Sequence, residues 1–148
     1  MIDAADILRL MNRADLQRLA NLRLSEARTL FQAGAFEGAY YLAGYAIECA
    51  FKACVAKQIR EFDFPEKRLI ERSHTHNLTQ LLEVSGVKVQ FEEATAASEA
   101  LRVSWSIVKD WTEASRYIID TTEKSAQDML AAVGDESTGV LTWLKKHW

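Results

Sequence analysis

The stretch from Gly34 to Lys57 constrains the fold more than any other part of this chain. It contains no proline, and after Glu37 its only charged residues are Glu48, Lys52 and Lys57. Two adjacent sets of apolar or small residues recur in it at helical spacing: Tyr40, Gly44, Ile47, Phe51 and Val55, and Ala39, Ala43, Ala46, Ala50 and Ala53. A helix with two adjacent apolar faces is buried on most of its circumference. The stretch therefore predicts the central rod of an all-helical domain, over residues 36–60.

The third face of this helix carries Tyr41, Tyr45, Glu48 and Lys52. Glu48 and Lys52 are four residues apart and can pair on a helix surface. A buried Glu48 needs a partner because an unpaired buried carboxylate is costly. Arg116 and His76 are the candidates for that partner. The face is either a structural ion pair that joins helices or a ligand-binding site.

The remaining segments predict helices packed around this rod. The apolar spacing indicates helices at residues 3–12, 14–32, 88–110 and 121–147. It also indicates a short helix that Ser73 or Thr75 can cap, that contains Leu78 and that ends at Ser85-Gly86. Residues 61–73 read as a loop with one helical turn, and a kink between Gly134 and Gly139 is the alternative for the last helix. The prediction is an all-α, up-and-down bundle of four to five main helices, in a single domain spanning residues 1–148.

Composition and charge exclude several classes of protein. The formal net charge is -3, so a strongly basic nucleic-acid binder is not indicated. Residues 1–74 nevertheless hold 11 Lys and Arg against 10 Asp and Glu, whereas residues 75–148 hold 7 against 11. Any anion-binding surface is therefore expected in the first half or at the junction. Without a long apolar run or a signal peptide, we expect no membrane association and a cytoplasmic location.

The sequence offers no local motif for a metal or a cofactor. Cys49 and Cys54 are the only cysteines and point about 140° apart on one helix, so they cannot pair with each other. We interpret both as small buried hydrophobes. No Cys-x-x-Cys, no His-Glu-x-x-His and no phosphate-binding glycine loop is present, so we expect neither a metal nor a cofactor.

A first candidate site lies between the central helix and the short helix that contains Leu78. It consists of Arg68, Arg72, His74 and His76, with Lys67 beside them. Cations next to a helix start suit phosphate binding. A histidine with an arginine also suits RNA cleavage, in which histidine moves the 2′-OH proton and arginine neutralises the phosphate. The alternative is that His76 caps or packs and that the arginines are solvated.

A second candidate site is the group Trp111, Arg116 and Tyr117. An aromatic ring, a cation and a phenol within seven residues can stack on a nucleotide and hydrogen-bond to it. The alternative is a packed corner of the bundle.

Several of these residues together resemble a known family. The segment Gly34-Ala-Phe-Glu-Gly-Ala-Tyr-Tyr-Leu-Ala-Gly-Tyr-Ala-Ile-Glu-Cys-Ala-Phe-Lys-Ala53 is followed by Thr75-His-Asn-Leu78 and by Trp111 with Arg116-Tyr117. In this order they resemble the HEPN domain (higher eukaryotes and prokaryotes nucleotide-binding), over about residues 14–147. The resemblance implies a four- or five-helix bundle, commonly a homodimer. It also implies a minimal nucleotidyltransferase as partner, often in a toxin–antitoxin or defence-type pair.

The resemblance bears on catalysis as well. Catalytic HEPN members are metal-independent ribonucleases with an Arg-x4–6-His motif that meets its copy across the dimer cleft. After Arg116 the corresponding positions are Thr121, Thr122 and Glu123, whereas Arg68 and His74 match the spacing in a different segment. The sequence therefore favours a non-catalytic or divergent member that binds a nucleotide, RNA or a nucleotidyltransferase partner. A metal-independent ribonuclease and a purely structural assembly partner are the alternatives.

Overall fold

The chain folds into an all-α bundle. The structure is a computed structural model and describes residues 12–59 and 66–148. Its helices are α1 (Arg13–Gln32), α2 (Phe36–Lys57), α3 (Lys67–Ser73), α4 (Leu78–Val84), α5 (Lys88–Ala97), α6 (Glu99–Val108), α7 (Glu123–Gly134) and α8 (Val140–Leu144), with a 3-10 segment at Glu113–Tyr117 between α6 and α7. No strand occurs in these two ranges. The predicted fold class is confirmed, and the helix predicted at residues 3–12 lies outside the described residues.

The helices α1 and α2 form a hairpin whose ends are fixed by local chemistry. The side chain of Asn12 accepts a hydrogen bond from the backbone N–H of Asp15 at 2.9 Å, which caps the start of α1. At the other end Gly34 has a φ of 81°, a left-handed conformation that glycine adopts without a steric penalty. The predicted helix 14–32 and its glycine stop are confirmed.

The helix α2 is the centre of the bundle. It packs against α1, α3, α4, α7, α8 and the 3-10 segment. Its buried residues are Ala39, Ala43, Gly44, Ala46, Ile47, Glu48, Cys49, Ala50, Phe51, Ala53, Cys54 and Val55. Burying a large side chain such as Ile47 or Phe51 contributes about 1.5–3 kcal/mol. The predicted central rod is thus confirmed, and it ends at Lys57.

Both cysteines belong to this core. Cys49 and Cys54 are buried free thiols. Burial raises the pKa of Cys49 to about 12 and that of Cys54 to about 11. They stay protonated at neutral pH and pack as small hydrophobes, as predicted.

The helix predicted over residues 88–110 is in fact two helices. Ser98 has an extended backbone (φ -127°, ψ 108°), which ends α5 at Ala97. The Ser98 hydroxyl then accepts a hydrogen bond from the backbone N–H of Leu101 at 3.2 Å and caps the start of α6. The prediction of a single helix is wrong because this serine interrupts it.

The single helix predicted over residues 121–147 is also wrong. Its two halves are α7 and α8, separated by a tight loop at residues 135–139. The Asp135 carboxylate accepts hydrogen bonds from the backbone N–H groups of Ser137 and Thr138 at 2.9 and 2.8 Å, and from both their hydroxyls at 3.0 Å. At Gly139 an added Cβ would lie 2.6 Å from the carbonyl oxygen of Val133. The alternative of a break between Gly134 and Gly139 is the one the structure adopts.

The segment before α4 contains more helix than the single turn that we predicted for residues 61–73. Its second part is α3, two turns long, whose seven residues include none that is buried. The part from 61 to 65 lies outside the described residues.

Candidate functional site

A buried carboxylate lies at the middle of α2. The side chain of Glu48 is 2% exposed, and its Oε1 is in contact with Nδ1 of His76. His76 belongs to the short connection between α3 and α4, and its side chain is 51% exposed. The pair therefore joins the core to the surface. His76, not Arg116, is the partner that Glu48 requires.

The chain around His76 is held by its own hydrogen bonds. The Thr75 hydroxyl accepts from the backbone N–H of Asn77 at 3.1 Å, and the Asn77 side chain accepts from the N–H of Gln80 at 3.0 Å. The second bond caps α4, whose Leu78 and Leu81 are fully buried. A capped and anchored helix start thus fixes the position of His76 over α2.

Burial and the charged groups around Glu48 act on its pKa in different directions. Removal from water raises the pKa of Glu48, and the charges of Lys52 and His76 act against this rise. Glu113, on the 3-10 segment, raises the pKa further as a like charge. When Glu48 is ionised, Nδ1 of His76 donates to it, and in the neutral ring Nε2 is then the acceptor nitrogen. The carboxylate therefore selects the tautomer of a half-exposed histidine.

An aromatic cluster adjoins this pair. Tyr41 stacks on Trp111 with ring centroids 5.9 Å apart and an interplanar angle of 25°, and the Tyr41 and Tyr45 rings are 6.1 Å apart. Trp111 packs directly against α2 at Gly44, where an added Cβ would lie 2.2 Å from Cδ1 of the indole ring. Trp111 is 1% exposed. It thus supports Tyr41 from the core and presents no free face for a nucleotide, which agrees with the packed-corner alternative.

The 3-10 segment adds a cation and a phenol to the edge of this cluster. The Arg116 guanidinium lies 4.9 Å from the centre of the Tyr117 ring. Hydrogen bonding to Tyr117 and, less strongly, the neighbouring Tyr41 raise the pKa of Arg116. Arg116 is exposed, and Tyr117 is 73% exposed. The packing of the segment on α2 brings Arg116 close to Tyr41 although the two are far apart in sequence.

Tyr45 has a neighbour that the sequence did not indicate. The Arg23 guanidinium of α1 lies 5.9 Å from the centre of the Tyr45 ring and forms an ion pair with Glu26 at 2.6 Å. Burial, followed by the nearby Cys49 and Glu48, raises the pKa of Tyr45 to about 12. Arg23 falls on the inward stripe of its helix, and a cation on such a stripe was the available signal. Glu113 was missed too, since nothing in its own segment marks it.

The other predicted residues do not converge. Arg68 and Arg72 lie exposed on α3, and His74 lies exposed at its end. Lys67 pairs with Glu71 on the same helix at 3.7 Å. Within the described ranges, no hydrogen bond or ion pair joins either arginine to His74 or His76. Of the residues we proposed for catalysis, only His76 enters the cluster around α2.

Comparison with protein-family models, with curated proteins and with solved structures finds no match for this chain. In the described part of the chain, no helix is both long and apolar enough to span a membrane. The same residues contain no group of three or more His, Cys, Asp or Glu side chains arranged to hold a metal ion. A function must therefore be argued from the side chains around α2 themselves.

Proposed function

We propose that this protein is a HEPN-like domain that binds a nucleotide or RNA on one surface. We call this surface the α2 face. Its members are Tyr41, Tyr45, Lys52, His76, Arg116 and Tyr117. The observation that carries the proposal is a convergence on α2: the connection between α3 and α4 brings His76 to Glu48, and the 3-10 segment brings Arg116 to Tyr41.

The α2 face has the groups that a nucleotide requires. Exposed phenol rings such as Tyr117 offer stacking surfaces for bases, and stacking is tolerant of base identity. Arg116 and Lys52 supply charge for phosphate groups, and an arginine can bind two phosphate oxygens at once. Glu48 holds the His76 ring through Nδ1, so Nε2 can accept a hydrogen bond from a ribose hydroxyl. Glu48 itself is buried and acts only through His76.

Binding can be tested with a fluorescently labelled, short single-stranded RNA and, separately, with nucleotides. We expect anisotropy titrations to give saturable binding that Arg116→Gln and Tyr117→Ala each weaken about tenfold, since both side chains are exposed and their loss removes one charge or one stacking surface. Arg102→Gln, an exposed arginine on α6, is the matched control and should leave the affinity unchanged. Equal affinities for all four proteins would rule out the α2 face as the binding surface.

A second candidate function follows from the Glu48–His76 pair. A histidine whose tautomer is fixed by a carboxylate is suited to general acid–base catalysis. In RNA cleavage, Nε2 would accept the 2′-OH proton while the 2′-oxygen attacks phosphorus and the bond to the 5′-oxygen breaks, giving a 2′,3′-cyclic phosphate and a 5′-hydroxyl. An assay in EDTA should then show activity that His76→Gln abolishes and His74→Gln retains. Wild-type protein without activity would exclude the ribonuclease and leave the binding proposal intact.

The partners implied by the resemblance belong to the same proposal. They are a second copy of the chain and a minimal nucleotidyltransferase, in a toxin–antitoxin or defence-type pair. Light scattering coupled to size-exclusion chromatography measures the first, and co-purification with the product of the neighbouring gene measures the second. A purely structural assembly partner, the remaining alternative, predicts that no nucleotide changes the melting temperature.

A further inference from the structure

A cleft at the C-terminal end of α2 is lined by cationic and amide side chains. It has a volume of about 340 Å³ and lies between the end of α2, the α4–α5 connection and the residues that follow α8. Three of its lining residues are Lys57, Lys146 and His147, and Gln58 and Gln90 add two side-chain amides. None of the residues lining it, all in the described part of the chain, is Asp or Glu. In a chain of net charge -3, this is a local concentration of positive charge.

Two of the side chains that line the cleft form hydrogen bonds, and a third packs on an aromatic ring. Lys57 Nζ donates a hydrogen bond to the carbonyl oxygen of His147 at 3.0 Å, which leaves two of its three N–H donors for another acceptor. The His147 ring packs on Trp143 with ring centroids 3.9 Å apart. The Gln58 side chain donates to the carbonyl oxygen of Val84 at 2.7 Å and closes one wall. The cleft is therefore built before any ligand enters.

The electrostatic environment of His147 reports the same excess of charge. Burial lowers the pKa of His147, and the charges of Lys57 and Lys146 lower it further. Two ammonium groups thus act on this imidazole together, and no carboxylate of residues 12–59 or 66–148 contributes to its shift. Like charges held at one cleft repel one another, and an anion placed between them relieves that repulsion.

We propose that this cleft binds the phosphate group of a small phosphorylated ligand. Lys57 and Lys146 contact the phosphate oxygens as charge-assisted donors. His147 and Gln90 complete the site with hydrogen bonds, and the volume is that of a small-molecule pocket rather than of an extended groove. The site is separate from the α2 face and does not depend on it.

The binding of an anion should be visible at His147. Because a bound anion favours the charged imidazolium, it raises the pKa of this histidine, and binding takes up protons. The probe is inorganic pyrophosphate, titrated at constant ionic strength while the His147 ring signals are followed by NMR. We expect a saturable shift and an upward change in the His147 pKa. A shift reproduced by sodium chloride, or none at all, would overturn the proposal.

Charge-removing variants locate the effect. The double variant K57Q/K146Q should weaken pyrophosphate binding about tenfold or more, since it removes both charged donors. The double variant K109Q/K124Q removes two exposed lysines elsewhere and is the matched control. Equal loss in both would show general charge screening and refute a specific site. An RNA oligonucleotide that binds through Lys57 and Lys146 when pyrophosphate does not would refute a small-ligand site.

Discussion

At the scale of single residues, Glu48 carries the most information. It is a carboxylate placed at the centre of the most buried helix, and its contact with half-exposed His76 is its link to the surface. A buried polar group that loses its hydrogen-bond partner lowers the free energy of unfolding by about 1–3 kcal/mol. The loss is larger if the group is charged. The contact of Glu48 with His76 joins α2 to the chain that leads into α4, and the proposed ligand would meet the same histidine.

The first prediction tests this pair by its pH dependence. The folded-state pKa of Glu48 is raised above its unfolded value, so ionising Glu48 costs folding stability: the cost is absent below the unfolded pKa and complete above the folded pKa. His76→Ala removes a partner of the ionised form. We expect it to lower the free energy of unfolding by about 1–3 kcal/mol at neutral pH.

The loss should shrink as the pH falls through the pKa of Glu48, because a protonated carboxyl needs its partner less. Urea denaturation at several pH values measures it. His74→Ala, an exposed neighbour, should have little effect at any of them. A loss from His76→Ala that does not change with pH would show that the contact is not electrostatic.

The second residue-scale prediction concerns Gly44. An alanine Cβ there would lie 2.2 Å from Cδ1 of Trp111, a fully buried ring that cannot move without disturbing its stack with Tyr41. The overpacking should cost about 1–3 kcal/mol even though alanine favours helix.

Gly38→Ala is the matched control on the same helix, since its Cβ would meet only the flexible end of Leu30 at 3.1 Å. We expect Gly38→Ala to leave the free energy of unfolding almost unchanged. The measurement is the midpoint of denaturant unfolding for both variants, compared where the slope of the free energy against denaturant is the same. If both alanines were equally tolerated, the close packing of Trp111 on Gly44 would be refuted.

At the scale of elements, the two helix breaks show what periodicity leaves out. The apolar stripe of α7 continues in register into α8, so spacing alone predicts one helix across residues 134–139. The break is decided by Asp135, whose side chain replaces the helical hydrogen bonds of Ser137 and Thr138. Ser98 does the same between α5 and α6. In both places a short polar side chain competes with the helix, and that competition is readable from residue type rather than from the stripe.

The third prediction tests the Asp135 loop. Its hydrogen bonds with Ser137 and Thr138 lower the pKa of Asp135 to about 2, from an ordinary 3.8. The stability that the ionised form contributes is therefore fully present above pH 3.8 and is lost as the pH falls towards 2.

Asp135→Ala should lower the melting temperature at neutral pH, and the difference from wild type should narrow in acid. Glu136→Ala, at the exposed neighbouring position, is the control. Calorimetry at neutral pH and in acid measures the melting temperature of each protein. A difference that stays constant between neutral and acid pH would contradict the assignment of that low pKa to these bonds.

At the scale of the whole molecule, the sequence predicted the centre better than the periphery. The two apolar faces of α2 made its burial predictable, and with it the all-α class. The candidate site was predictable in its members on α2, because its polar face stands out against so apolar a helix. The sequence left His76 and Arg116 as alternative partners of Glu48. It could not decide between them because it does not show which residues far apart in the chain are close in space, and His76 is 28 positions from Glu48. Glu113 and Arg23 reach the site through packing alone.

The last prediction follows from this uneven burial. Amide hydrogen exchange depends on the free energy of the opening that exposes each amide, and well-packed elements open last. Between Ala46 and Val55 every residue of α2 but Lys52 is buried, whereas α3 buries none of its seven residues. We therefore expect native-state exchange to be slowest in this part of α2 and fast throughout α3.

His76 follows α3 directly, and Glu48 links it to α2, the slowly exchanging helix. His76→Ala should therefore speed exchange at the start of α4 while leaving the middle of α2 the slowest region. Equal protection of α3 and α2 would mean that the chain opens only as one unit, and the pair would then have no local role.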